Sequence, residues 1–215
     1  MVKKIPLEKP RDLSEHDCER MGIPRRFWSS TLDKVQPQAK KVISRYLSPE
    51  RFFRCMEQGV GLILCGKIGV GKTAIASICL RYARSYGYTA YFTTVTQLRE
   101  ALFKDTIFEN DQTVLDRCRT VDVLLVDDLR LEDLNAKGFG KSQLLQLFKH
   151  RTEQELVTHV TTRLDVEDVK SVSAQEIKHI HQTMLGGCSV VIVRGDNLSS
   201  SFQRKADRLI YSDQE

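Results

Sequence analysis

The chain has 215 residues, 41% of them hydrophobic, and a formal net charge of +5, enough for one large core with nothing that demands a second. Its six cysteines, Cys18, Cys55, Cys65, Cys79, Cys118 and Cys188, contain no CxxC pair, which argues against a zinc site and a disulfide framework alike. No apolar run approaches the roughly 18 residues of a membrane span, and the N-terminus MVKKIPLEKPRD has no signal-peptide character, so a soluble, cytoplasmic protein with no membrane partner is expected.

Residues 1–20 are polar and hold Pro6 and Pro10, which predicts a poorly ordered basic segment ahead of a domain over 21–215. Residues 1–60 carry 13 Lys/Arg against 8 Asp/Glu, whereas the remainder carries 20 against 20. All of the positive excess therefore precedes residue 61. Clustered cations attract nucleic-acid phosphates or an acidic protein surface, and ordinary surface charge explains them equally well. Residues 35–58 place Val42, Ile43, Tyr46, Leu47, Phe52, Phe53 and Met56 at helical spacing, giving one or two amphipathic helices broken near Ser48-Pro49.

From Gly61 onward strand-like and helix-like runs alternate. The strands read as Leu62–Cys65, Ala90–Thr94, Val121–Val126, Leu156–Thr162 and Ser189–Val193. Helices read near 72–86, 96–105, 111–118, 140–152 and 174–185. Gly87 and Gly186-Gly187 stand where helix C-terminal caps are expected. The alternation is that of an α/β fold, a parallel sheet covered by helices on both faces.

Gly66-Lys67-Ile68-Gly69-Val70-Gly71-Lys72-Thr73 fits GxxxxGK[ST] between the first of these strands and the helix after it. Glycines let backbone N–H groups close around phosphate oxygens, and the helix that follows turns its positive end toward the same anion. Gly66, Gly69, Val70, Gly71 and Ala74 would contribute backbone to this cradle. Lys72 would reach the β/γ-phosphates of ATP, and the Thr73 hydroxyl would hold Mg2+.

Hydrolysis requires a second anchor, and Val121-Asp122-Val123-Leu124-Leu125-Val126-Asp127-Asp128 provides it. Two carboxylates at the C-terminal end of an apolar parallel strand stand where ligands bind in open α/β sheets. Asp127 is assigned to the metal and Asp128 to the attacking water. The later strand ends in Thr161-Thr162-Arg163, and Thr162 and Arg163 are the candidates for sensing the γ-phosphate or positioning water; a routine strand exit is the alternative. His179 and His181, two apart on a helix, do not share a face, so a histidine metal site is not expected.

The order of these parts resembles the AAA+ ATPases of the bacterial helicase-loader type (DnaC/DnaI-like) and the related IstB-like transposition ATPases. The resemblance runs from about Gly22 to about Gly195 and rests on Ile23-Pro24-Arg25-Arg26-Phe27, Ser29-Ser30-Thr31-Leu32-Asp33, GVGLILCGKIGVGKT, DVLLVDDL and VTTRL. It implies a P-loop fold with strand order 5-1-4-3-2, a short N-terminal extension and no separate lid domain. It makes Ile23 and Phe27 candidate adenine contacts. Its implied partners are further copies of the chain in the presence of ATP, a replicative helicase or transposase, and single-stranded DNA.

Three departures from that family stand out. Arg163 occupies a position where relatives usually carry Asn. No arginine occurs between Lys170 and Val193, where relatives place one that completes a neighbour's site. The Gly-x-Ser-Tyr-Arg ending of transposition ATPases is here Gly195-Asp196-Asn197-Leu198-Ser199, leaving Arg194 or Arg204 to approach the nucleotide. A DNA-associated ATPase in replication or transposition is the leading expectation. A nucleotide-controlled binding module with weak hydrolysis and a small-molecule kinase are the alternatives.

Overall fold

The computed structural model describes residues 8–105, 114–130, 133, 139–163 and 188–195. The helix expected at 174–185, the Gly186-Gly187 cap, the Asp196–Ser199 ending and Arg204 lie outside the described residues.

Ahead of the sheet come α1 (Glu15–Arg20), α2 (Pro37–Tyr46) and α3 (Pro49–Glu57), with 3-10 turns at Arg25–Phe27 and Leu32–Lys34. Then follow β1 (Leu62–Cys65), α4 (Lys72–Ser85), β2 (Ala90–Thr94), α5 (Val95–Asp105), α6 (Val114–Thr120), β3 (Val123–Leu129), α7 (Phe139–Glu153), β4 (Val157–Thr162) and β5 (Ser189–Ile192). The five strands form one sheet in the order β2-β3-β4-β1-β5, and every neighbouring pair is parallel. This is the AAA+ order expected from the resemblance. Ser48-Pro49 divides α2 from α3 as the spacing predicts, because proline has no N–H to continue a helix and fits its first turn.

Strand alternation divides the core in two. Leu62, Leu64, Phe92, Val123, Leu125 and Val157 point to the face covered by α2, α3 and α4, where Ile43, Phe52, Ile75 and Leu80 are buried. Ile63, Cys65, Leu124, Val126 and Val160 point to the opposite face, against Leu98, Cys118, Leu144 and Phe148 of α5, α6 and α7. Arg151 of α7 is fully buried there. It donates to Thr158 Oγ1 and to the carbonyls of Cys118, Val121 and Val157 at 2.7–2.9 Å, tying α6, the segment that leads into β3, and β4 together.

Residues 8–20, within the stretch that composition assigns to a poorly ordered start, dock on the body instead. Ser14 caps α1 through a reciprocal capping box with Asp17. Arg11 grips the Asp17 carboxylate at 2.5 and 2.9 Å and Arg84 of α4 reaches it at 3.3 Å. The Arg11 hydrogen bond holds that carboxyl well below the usual range. The N–H of Phe92 donates to the carbonyl of Met21 at 2.7 Å, so the N-terminal segment covers the free edge of β2.

β3 extends through Leu129, past the end at Val126 expected from its apolar run, so Asp127 and Asp128 lie within the strand. Among the described residues no helix is long and apolar enough to cross a membrane.

Candidate nucleotide site

The phosphate loop leaves β1 at Gly66, whose φ of +148° lies outside the range that side chains favour. A Cβ there would stand 2.2 Å from the carbonyl oxygen of Val193, so the loop and the exit of β5 pass at a distance only glycine allows. Gly71 caps α4 at φ +95°, with no side-chain cap and no acidic residue in the first turn. The first N–H groups of a 14-residue helix are therefore left for an anion. Lys72 is buried, and its ammonium donates to the carbonyls of Gly66 and Lys67 at 2.7 Å each. An ammonium has three donors, so one remains for phosphate. Burial lowers the Lys72 pKa, opposed by the charges of Asp127 and Asp128.

Period-two alternation puts Asp127 on the α4 face of the sheet, together with Thr161 of β4. Thr73 of α4 donates to Asp127 Oδ1 at 2.9 Å, and Thr161 donates to the same oxygen at 2.6 Å. Burial raises the Asp127 pKa, and these two hydroxyls oppose the rise. Between Val126 and Leu129 the β3–β4 register slips: Val126 pairs with Val160, but Leu129 pairs with Thr162. This is a β-bulge, and Asp128 sits in it at φ +61°. Its N–H donates to Thr161 Oγ1 at 2.9 Å, so one threonine hydroxyl serves both carboxylate residues. The Asp128 carboxylate faces Arg163, which donates from Nε at 2.5 Å and Nη2 at 2.7 Å, and Arg130, which donates from Nη2 at 3.1 Å. Burial pushes the Asp128 pKa up, but the two arginines outweigh it and the net shift is downward.

Beside the loop lies a small cleft lined by Gly66, Lys67, Val70, Ile192, Val193, Arg194 and Gly195. The side chain of Gln36, at the start of α2, closes over Gly195, where a Cβ would come within 2.6 Å of it.

A family model for IstB-like ATP binding proteins matches residues 33–206. The chain belongs to that family. A search of the curated proteins finds no match to it. Among solved structures, the DnaC helicase loader superposes with a TM-score of 0.65 at 20% identity, over 80% of this chain and 100% of that one. DnaI gives 0.57 at 22% identity, over 81% and 93%. DnaA from Aquifex aeolicus, bound to AMPPCP, gives 0.56 at 19% identity, over 88% of this chain and 56% of that one. At these identities the likeness shows the fold, an AAA+ P-loop domain.

In this IstB-like protein the geometry gathers Lys72, Thr73, Asp127, Asp128 and Arg163 at the C-terminal ends of β1, β3 and β4. It separates Thr162 from them: that residue is 1% exposed and follows the alternation of Val160, on the face away from α4. Thr161 takes the position beside Asp127. Counting in twos along the two strands from Val123 and Val157 would have found it, since residues 127 and 161 then fall on one face. Ile23 and Phe27 also lie away from the cleft. Ile23 is 3% exposed in the core, its carbonyl accepting from Trp28 Nε1 at 2.6 Å, and Phe27 is half-buried beneath the Arg26 guanidinium. Gln36 and Arg194 stand at the cleft instead. Arg130, two residues after Asp128, belongs to no motif that would have marked it.

Proposed function

We infer that this IstB-like protein hydrolyses ATP with Mg2+ and acts on DNA or on a protein that processes DNA. The observation that carries the reading is the hydrogen-bonded chain Thr73–Asp127–Thr161 beside Lys72, a phosphate loop joined to a strand-end carboxylate. The Thr73 hydroxyl and the Asp127 carboxylate are hard oxygen donors, the kind Mg2+ takes alongside phosphate and water oxygens. These two would hold the cation. When bound, the cation would neutralise charge on the phosphate oxygens.

Lys72 and the first N–H groups of α4 bind the triphosphate, and the cleft beside Gln36 and Arg194 receives the remainder of the nucleotide. Asp128 orients water for attack on the γ-phosphorus and takes its proton as the bond to the bridging oxygen breaks, releasing ADP and phosphate. Arg163 faces the terminal phosphate.

Action on DNA is supported by the exposed face of α2. Residues 34–49 contain Lys34, Lys40, Lys41 and Arg45 and no carboxylate, and Lys41 and Arg45 lie one turn apart on an exposed face. DnaC, which shares the fold, is a helicase loader. Self-association in ATP, a helicase or transposase partner and a cytoplasmic location complete the reading. A nucleotide-controlled module that turns over slowly is the second reading, favoured by the arginines that occupy Asp128.

The test measures ATP turnover with and without single-stranded DNA, on fractions whose mass in ATP is known. Lys72→Ala abolishing Mg2+-dependent turnover supports the ATPase, and DNA stimulation supports the substrate. Turnover unchanged by Lys72→Ala sinks the proposal. Lys72-sensitive binding with negligible turnover in every mixture leaves the second reading standing.

A further inference from the structure

Both oxygens of the Asp128 carboxylate are taken. Arg163 covers them with its Nε and Nη2, and Arg130 adds a second donor to Oδ2. A carboxylate covered on both oxygens is poorly placed to orient water. Nothing in the core requires the arrangement, because the Arg163 and Asp128 side chains are 44% and 33% accessible and an exposed ion pair contributes little to stability. The guanidinium lies on the side of the site where phosphate is expected: Thr162, just before Arg163, pairs with Cys65, just before the phosphate loop, and the Arg163 charge opposes that of Lys72. A planar fork that fits a carboxylate fits a phosphate equally well.

We propose that Asp128 and the terminal phosphate of a bound nucleoside triphosphate compete for Arg163. In the resting site Arg163 is parked on Asp128. The γ-phosphate draws it away, which frees Asp128 for water and at the same time supplies a cation to the phosphate from within the chain. A diphosphate lacks the group that competes, so Arg163 returns to Asp128 after phosphate leaves. Arg130 keeps Asp128 from swinging out of the bulge while Arg163 moves. The exchange is a transfer of hydrogen bonds alone, and no covalent bond changes. The proposal rests on the nucleotide reading above and adds a control device to it.

The experiment titrates the full chain, in Mg2+, with a non-hydrolysable ATP analogue and with ADP, for wild type, Arg163→Gln, Arg163→Lys, Asp128→Asn and the Arg163→Gln/Asp128→Asn double variant. Arg163→Gln weakens the triphosphate by about ten-fold or more, the worth of a charge-assisted hydrogen bond, and leaves ADP within about two-fold. Asp128→Asn tightens the triphosphate several-fold, because its competitor is weakened, and this gain disappears in the double variant. Arg163→Lys, which keeps the charge and loses the fork, falls between wild type and Arg163→Gln. Arg163→Gln shifting both nucleotides equally or neither, or Asp128→Asn acting identically with and without Arg163, overturns the proposal while leaving Lys72-dependent nucleotide binding intact. A wild-type chain that binds neither nucleotide removes the nucleotide reading and this inference together.

Discussion

The hydroxyl of Thr161 donates to the Asp127 carboxylate at 2.6 Å and accepts the N–H of Asp128 at 2.9 Å, so one side chain on β4 supports both acidic residues of β3. The backbone N–H that the bulge withdraws from the strand ladder finds its partner there. Asp127 is thereby fixed toward Thr73, and the hydrogen bonds offset part of the cost that partial burial imposes on its charge.

Thr161→Val keeps the shape and removes the hydroxyl. It is expected to lower Mg2+-dependent kcat by about 10- to 100-fold, the equivalent of one charge-assisted hydrogen bond. Thr161→Ser should restore most of the rate, and Thr162→Val should leave kcat near wild type. Steady-state ATPase assays on the three variants, with Mg2+ varied, check the ordering; equal losses at 161 and 162 would contradict it.

Gly66→Ala is expected to disrupt nucleotide binding more than folding. Its Cβ would press on the carbonyl of Val193 at 2.2 Å, and its φ of +148° disfavours any side chain. Relief requires separating the phosphate loop from the β5 exit, an overpacking cost of about 1–3 kcal/mol. Circular dichroism melting should show a modest loss, whereas ATP affinity should fall by at least an order of magnitude.

Arg151→Met tests the buried guanidinium. Its loss strands the Thr158 hydroxyl and several carbonyls that now share it, and the expected destabilisation is about 3 kcal/mol, visible in urea unfolding. Arg151→Lys should recover only part of that, because a point cation cannot reach partners on α6, ahead of β3 and on β4 together.

His159 sets an acid limit on stability. It is fully buried, packs edge-on to Tyr46 at 5.8 Å, and accepts the Leu62 N–H at Nδ1 over 3.1 Å. Burial pushes its pKa down to about 3, from an ordinary 6.5, with the Arg151 charge adding to the effect. Below the ordinary value the unfolded chain takes up a proton that the folded chain refuses. Stability is therefore complete above pH 6.5 and falls as the pH drops from there toward 3. The loss from this group between pH 7 and pH 5 is about 2 kcal/mol. Urea midpoints across that range should fall more steeply for wild type than for His159→Asn, which accepts a hydrogen bond but does not titrate.

Much of this molecule is legible without coordinates. Leu62–Cys65 and Ala90–Thr94 are strands with the bounds that their apolar runs predict, and Lys72 opens a helix directly after the glycines, because hydrophobic period and glycine placement act locally. The placement of Lys72 and Thr73 at the start of α4 and of Asp127 and Asp128 near the end of β3 is legible for the same reason: short motifs carry their own backbone geometry. What only the tertiary structure decided was pairing across distance. That Thr161 also accepts the N–H of Asp128 depends on a bulge that shifts β3 against β4, and an apolar run ending at Val126 gives no sign of it. The docking of residues 8–20 depends on Arg84, far along the chain, meeting Asp17. Of the two arginines on Asp128, Arg130 stands two residues away along the chain, whereas Arg163 comes from the exit of β4, and that pair is specified by where two strand exits converge and not by the residues beside either one.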